Sequence, residues 1–318
     1  MNDARADLDA TRGFARPRVA IIGATGFIGN TILTSLTSQH LDVCALVRRR
    51  DRLPGTVDIV EARQGILDDK ALGRALEGAD FVINAASYTG DDVDAQYLVN
   101  AEGGERVARA ASRAGVTRLI YVSTFGVYGR AFTPGIDETA TPTPGSTLSA
   151  SRLQAEEATL EYGGIVLRPA LVLGAGDRWV LPKYITLLQL AGPLLNSSNA
   201  LTSTVNKRGV AAVVSEMLRS TRLQHEIYHV AEQLPVDLRD VARTIAPDLL
   251  QTAIRRQAGI DSNDLAQQLG ITADKLHFAL NDTSISTERL HSEFPGSLLD
   301  QPRLTAEDVA WYRAARNH

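Results

Sequence analysis

The residues best placed to do chemistry in this chain are the glycines of GATGFIG, residues 23–29. They follow the apolar run 19–22 and open a stretch with helical spacing. In a strand–turn–helix unit, Gly23 permits the tight turn and Gly26 lets backbone approach a diphosphate. Gly29 permits close helix–strand packing. The free N–H groups and positive dipole end of a helix starting near Phe27 then face the phosphates. The chemistry implied is dinucleotide binding, with contacts expected at Gly23, Thr25, Gly26, Phe27 and Ile28. An acidic residue about 20 positions further on would hold the ribose 2′-hydroxyl of NAD. Here the apolar run 43–47 leads into Arg48-Arg49-Arg50, with no carboxylate before Asp51. Guanidinium groups suit a 2′-phosphate, so the expected cofactor is NADP(H), with Arg48 as the leading contact and Arg49 next.

Other reactive side chains carry less. Of the six histidines, only His225 and His229 stand four apart, in a segment read as loop to strand, where such residues do not converge. No metal site is expected. The single cysteine, Cys44, leaves no intrachain disulfide framework, which fits a reducing, cytoplasmic compartment. A net charge of −4 and a pI of 5.9 give no general attraction to nucleic acid. Residues 262–280 have a helix–turn–helix rhythm, but Asp264, Asp274 and the lack of basic character favour a packed helix pair. No apolar run is long enough to span a bilayer; the best, 184–195, is broken by Gln189, Gly192 and Pro193.

The elements that must position the glycine loop follow from hydrophobic patterning. Apolar runs at 19–22, 43–47, 81–83, 119–122 and 165–167 have the length of buried parallel strands, and helical stretches separate them. Residues 95–114 have helical spacing, and Gly115 stops that helix. The fold class is therefore α/β, a Rossmann doubly wound parallel sheet with a smaller, mainly helical C-terminal substrate lobe. Residues 1–16 read as a mobile extension. The NADP(H)-binding domain is placed at 17–175, with a return segment at 203–235 that has strand-like patterning. The lobe comprises 176–202 and 236–318, with GAGDRW, residues 174–179, as the hinge into it.

Over residues 17–240 the chain resembles the extended and atypical short-chain dehydrogenases/reductases, the epimerase, dehydratase and reductase relatives. The resemblance rests on GATGFIG, Asn84-Ala85-Ala86, Asn100, YVSTFGVYG (121–129), LRPALVLG (167–174) and IYHVAEQLPVDLRDVA (227–242), in that order. It implies that Ala85 and Ala86 line the adenosine and ribose path and that Leu67 contributes near the adenine. Pro169 and Ala170 would border the nicotinamide, and Thr124 would be the catalytic hydroxyl, with Ser123 or Ser149 assisting. Where relatives often carry Asp after Gly, this chain has Ile66, which could pack on the adenine but accept no hydrogen bond. Homodimer faces would lie on the helices around 95–114 and 148–161.

The family's YxxSKxxAE pattern falls on LSASRLQAE, residues 148–156, so the Tyr position is Leu148 and the Lys position is Arg152. Leu148 cannot transfer a proton. Arg152 can hold ribose hydroxyls but remains protonated. Tyr88, Leu148, Ser149 and Trp179 are the expected substrate contacts. Two functions from different classes stay open. One is an NADPH-dependent ketoreductase with an atypical site, acting on a bulky small-molecule ketone; here the chain is similar to ketoreductases of aromatic polyketides in antibiotic pathways. The other is a catalytically inactive NADP(H) sensor that regulates a partner.

Overall fold

The computed structural model describes residues 16–50, 53, 57–129, 133–195, 200–221, 223–247, 267, 281–295, 299 and 303–316. The N-terminal extension, apart from Arg16, and the 262–280 segment, apart from residue 267, lie outside them.

Seven strands form one parallel sheet. They are β1 (Arg18–Ile22), β2 (Asp42–Val47), β3 (Asp58–Glu61), β4 (Phe81–Asn84), β5 (Arg118–Val122), β6 (Ile165–Pro169) and β9 (Ile227–Val230). Their order is β3-β2-β1-β4-β5-β6-β9. Order reverses between β1 and β4, so the crevice expected of a doubly wound sheet opens at the carboxyl ends of those two strands. Five of the strands coincide with the apolar runs in the sequence. The edge strand β3, Asp-Ile-Val-Glu, was not expected; charged and exposed at both ends, it lacks the continuous apolar run of a strand buried on both faces.

Alternation along the strands builds two helical layers. Val19 and Ile21 of β1 face Ile32, Leu33 and Leu36 of α1 (Phe27–Thr37), together with Val210, Val213, Val214 and Met217 of α6 (Lys207–Arg219). Ala20 and Ile22 face Leu72 and Leu76 of α2 (Asp69–Leu76), and Val107 and Ala111 of α3 (Gly103–Arg113). The helix expected over 95–114 is present but not uniform: an α turn (Val93–Gln96) passes through a π-helical segment (Tyr97–Glu102) before α3. Next comes α4 (Thr147–Glu161), whose Ala155 sits beneath Gly104; a methyl group on Gly104 would lie 2.6 Å from Ala155 Cβ.

The return segment differs from its strand-like reading. Residues 207–219 form α6, and only β9 joins the main sheet; β7 (Leu171–Leu173) and β8 (Thr204–Asn206) pair in parallel as a separate two-stranded sheet. Beyond it, α5 (Leu181–Leu195), α7 (Leu238–Ile245) and α9 (Ala306–Arg316) share a second apolar cluster that includes Leu181, Ile185, Val241, Ile245 and Tyr312. The short α8 (Glu288–Glu293) packs Leu290 on the main core. Among the described residues the C-terminal region is thus mainly helical.

Candidate active site

The glycine loop has the backbone that a phosphate cradle needs. Gly23 has φ +84°, and a Cβ there would lie 2.6 Å from the Ala86 nitrogen and 2.7 Å from the Ala85 carbonyl carbon. The backbone after β4 therefore crosses directly over the turn, which juxtaposes Gly23 with Ala85 and Ala86. A Cβ on Gly29 would run into the Gly23 carbonyl oxygen. Gly26 is the N-cap of α1 and offers no side chain to its first N–H groups, so those donors face outward. Thr25 is exposed on the loop, and Phe27 and Ile28 are half-buried beside it.

At the ends of β2 and β3 an open cleft of about 570 Å³ is lined by Thr25, Arg48, Arg49, Glu61 and Arg63. Arg48 and Arg49 both line this cleft, while Arg63 and Glu61 were missed because β3 itself was. The stem of Arg48 lies over Gly65, whose φ is +58°; a Cβ there would be 3.2 Å from Arg48 Cγ. The reading of Ile66 as an adenine platform is corrected. Its side chain is buried in the helical layer and packs on Gly103, 3.1–3.3 Å from where a Cβ would stand. Leu67 is half-buried, and its carbonyl accepts from Arg106 Nη1 at 3.4 Å.

Thr124, two residues past β5, has extended backbone and caps the 3₁₀ turn Phe125–Tyr128, its Oγ1 accepting from the Gly126 N–H at 3.1 Å. A Cβ on Gly126 would lie 3.3 Å from Thr124 Oγ1 and 3.4 Å from Ser149 Oγ, so the two hydroxyls close on this one glycine and leave no room there for a methyl group. Ser146 caps α4, accepting from Ser149 N at 3.2 Å, which holds Ser149 there. The face of α4 that carries Leu148 and Arg152 is fixed from the side. Asn100, in the π-helical segment, accepts from Tyr88 N at 2.8 Å and donates to Tyr88 O and to Ser151 Oγ, both at 3.1 Å. Arg152 Nε donates to Ser87 Oγ at 3.1 Å. Leu148 is half-buried at the start of the helix. Tyr88 folds back on its own loop, its hydroxyl 2.5 Å from where a Cβ on Gly90 would be.

Ser123 is not placed to assist, contrary to expectation. It is 3% exposed and donates to Glu156 Oε1 inside the protein. That carboxylate, 1% exposed, also receives Arg168 Nε at 3.0 Å and Arg168 Nη2 at 2.6 Å. Arg168 Nη1 donates to the Tyr128 hydroxyl at 2.6 Å, and Tyr128 stands 2.7 Å from His229 Nε2. His229 Nδ1 lies 2.9 Å from the Ser286 carbonyl, which can only accept, so Nδ1 carries the proton and Tyr128 donates to Nε2. Burial lowers the His229 pKa to about 4 and raises that of Tyr128 to about 12. Every member is therefore neutral or paired, the condition under which a buried polar network is tolerated. Pro169 and Ala170, at the end of β6, are buried beside it.

Trp179, the expected pocket wall, stands at the glycine loop, its ring centroid 6.2 Å from that of Phe27. Buried Asp177 holds the turn, accepting from Trp179 N, Val180 N and Leu181 N at 2.8–2.9 Å and from the Tyr312 hydroxyl at 2.9 Å. Among the described residues no cluster of His, Cys, Asp and Glu could hold a metal ion, and no helix is long and apolar enough to cross a membrane.

The model of the NAD dependent epimerase/dehydratase family matches residues 19–231, which runs from β1 to the end of β9. The chain belongs to that family. Among curated relatives, a 4-hydroxy-2-methyl-3-oxo-4-farnesyl-3,4-dihydroquinoline-1-oxide ketoreductase of Stigmatella aurantiaca is 29% identical, over 70% of each chain. An N-acetyl-alpha-D-glucosaminyl-diphospho-ditrans,octacis-undecaprenol 4-epimerase of Escherichia coli O157:H7 is 26% identical, over 73% of this chain and 72% of its own. Among solved structures, the Bordetella bronchiseptica enzyme WbmG in complex with NAD superposes with a TM-score of 0.74 over 96% of both chains, at 18% identity. The fold is thus that of the extended short-chain dehydrogenases/reductases, and the relatives support an oxidoreductase that uses a nicotinamide dinucleotide.

Proposed function

We propose that this family member is an NADPH-dependent ketoreductase that works without the Tyr/Lys pair, on a bulky, aromatic polyketide-type ketone. The observation that carries the reading is Thr124. Its hydroxyl already accepts from the Gly126 N–H, which leaves its one proton to donate. A substrate carbonyl set against Thr124 would accept that proton as negative charge develops on its oxygen.

The chain's residues fit the cofactor. Gly23 and Gly29 leave the room that a Cβ would fill, and the uncapped start of α1 presents N–H groups to a diphosphate. WbmG was solved with NAD. In this chain the cleft at the ends of β2 and β3 carries Arg48, Arg49 and Arg63 against one carboxylate, Glu61. Three guanidiniums favour a 2′-phosphate, so NADP(H) is the cofactor proposed. When bound, it supplies the hydride. Arg152, held on Ser87, keeps its other N–H groups for ribose hydroxyls but stays protonated throughout, so it orients and does not exchange a proton. Leu148 adds apolar surface beside the hydroxyls. The proton for the alkoxide then comes from the substrate, as from a phenol beside the ketone, or from water. Residues 176–202 and 236–318 would close over this face as the substrate lobe.

The test is NADPH oxidation by the purified protein across a panel of aromatic ketones, with Thr124→Val alongside. Turnover is expected, with a loss of about 100-fold in kcat in the variant, as for removal of one oxyanion donor. Tight NADPH binding without turnover of any ketone would instead support the catalytically inactive NADP(H) sensor.

A further inference from the structure

We infer that Lys207 is a second cationic arm of the cofactor diphosphate site, outside the glycine motif and on a different helix. The inference rests on the dinucleotide reading above. Phe27 and Lys207 are the first residues of α1 and α6, and the Lys207 Nζ stands 5.5 Å from the centroid of the Phe27 ring. The two helix N-termini therefore adjoin at the phosphate cradle, and each contributes a positive dipole end.

A lysine at this position breaks two local rules. It places a cation at the first residue of a helix, where the dipole disfavours it; the first turn of α6 holds no acidic residue. It also half-buries an ammonium beside the backbone of Gly174, where a Cβ would lie 3.0 Å from Lys207 Cγ, a desolvation that the cation–π contact with Phe27 offsets only in part. Its one hydrogen bond among the described residues is to the Ala175 carbonyl, at 2.6 Å. No carboxylate forms an ion pair with it among those residues. Its neighbour Arg208 shows the contrast, pairing with Glu307 at 2.7 Å and with Asp308 at 3.1 Å. Asp308 is hydrogen-bonded to Ala175 N, Asn206 Nδ2 and Thr305, and with Glu307 it acts on the Lys207 ammonium only through space, less strongly than burial opposes that charge. The remaining cost of burying this charge at a helix N-terminus is offset once an anion lies across both helix ends, as a nicotinamide dinucleotide diphosphate would.

The frame around Lys207 is rigid. Asp177 and Tyr312 fasten the 174–181 turn to α9, and Trp179 closes on the other side of Phe27. The ammonium is thus pre-positioned, and its contribution should appear in affinity for any ligand that carries the diphosphate.

The test is calorimetric titration of the full chain with NADPH, NADH, ADP-ribose and 2′-AMP, using wild type, Lys207→Met, Lys207→Arg and Arg48→Ala. Lys207→Met keeps the stem and should weaken NADPH, NADH and ADP-ribose alike by roughly tenfold or more. It should leave 2′-AMP within about twofold, while Lys207→Arg should regain most of the loss. Arg48→Ala should show the reverse pattern, weakening NADPH and 2′-AMP and sparing NADH and ADP-ribose. Unchanged diphosphate affinities in Lys207→Met, or equal losses in Met and Arg, would overturn the inference while the cofactor reading stands. Absence of dinucleotide binding by the wild type would overturn both.

Discussion

Acid should destabilise this protein through one buried side chain, His229. Burial lowers its pKa from 6.5 to about 4, while the unfolded chain keeps the ordinary value. Above pH 6.5 both states hold the neutral ring and His229 adds no pH dependence. Between about 6.5 and 4 the unfolded state binds the proton and the native state does not, so stability falls as the pH falls. A shift of this size corresponds to about 3 kcal/mol over the whole window, and to about 2 kcal/mol by pH 5. The sign separates His229 from its neighbours. Burial raises the pKa of Glu138, Glu156 and Glu232, so in the window above their unfolded values the native state binds more protons than the unfolded chain. Those groups gain stability as the pH falls there. The assay is urea unfolding at pH 7, 6 and 5 for wild type and His229→Gln. Glu138 accepts from the backbone N–H of residue 229, a bond the substitution leaves in place. The variant should be less stable at pH 7, because Tyr128 loses its imidazole acceptor, and its stability should change less toward pH 5. Parallel wild-type and variant curves would refute the argument, since they would mean that His229 protonates in the native state as readily as in the unfolded one.

Removal of two guanidiniums from the cleft, Arg48→Ala with Arg63→Ala, should lower the preference for NADPH over NADH by roughly 100-fold or more, measured as a ratio of dissociation constants. Gly126→Ala keeps ordinary backbone but puts a methyl group 3.3–3.4 Å from both Thr124 Oγ1 and Ser149 Oγ. It should cost about 1–3 kcal/mol of stability and reduce kcat more than cofactor affinity, read from steady-state rates and NADPH titration. Arg168→Met strands the Glu156 carboxylate in the core and should destabilise by about 3–5 kcal/mol in urea titration. Adding Glu156→Leu should recover much of that loss.

The sheet was legible wherever a strand is buried on both faces, because such strands are written as unbroken apolar runs. β3 was not, being four residues long with charges at both ends, and the loss carried forward: without it neither Glu61 nor Arg63 could be assigned to the cleft. The glycine loop was legible because each glycine answers a steric demand that the motif encodes. Helix α6 could have been found, since Val210, Val213, Val214 and Met217 have helical spacing, but the expectation of a returning strand overrode it. Ser123 was misassigned for a different reason. Adjacent residues of a strand point to opposite faces, so Thr124 and Ser123 could not both reach the cleft, and the buried partner of Ser123, Glu156, lies 33 residues away.

The same reasoning divides the α4 motif into two parts. Ser151 is buried and bonded to Asn100, Ala155 is buried beneath Gly104, and Glu156 is buried with Arg168. These positions match the family pattern, and each is engaged inside the protein. Leu148 and Arg152 depart from it, and both are half-buried on the side of the helix that meets the loop after β4. A chain drifting without constraint would lose buried and cleft-facing positions alike, and loss at the buried ones would cost stability as an unpaired Glu156 does. Here the departures fall on the positions that would exchange a proton, while Thr124, Gly126 and the cofactor cradle keep their geometry. That distribution fits the proposed reading, in which the scaffold and the glycine loop are retained and the proton comes from elsewhere. It also places the decision between reductase and sensor at Thr124, where the hydroxyl proton either meets a ketone or meets none.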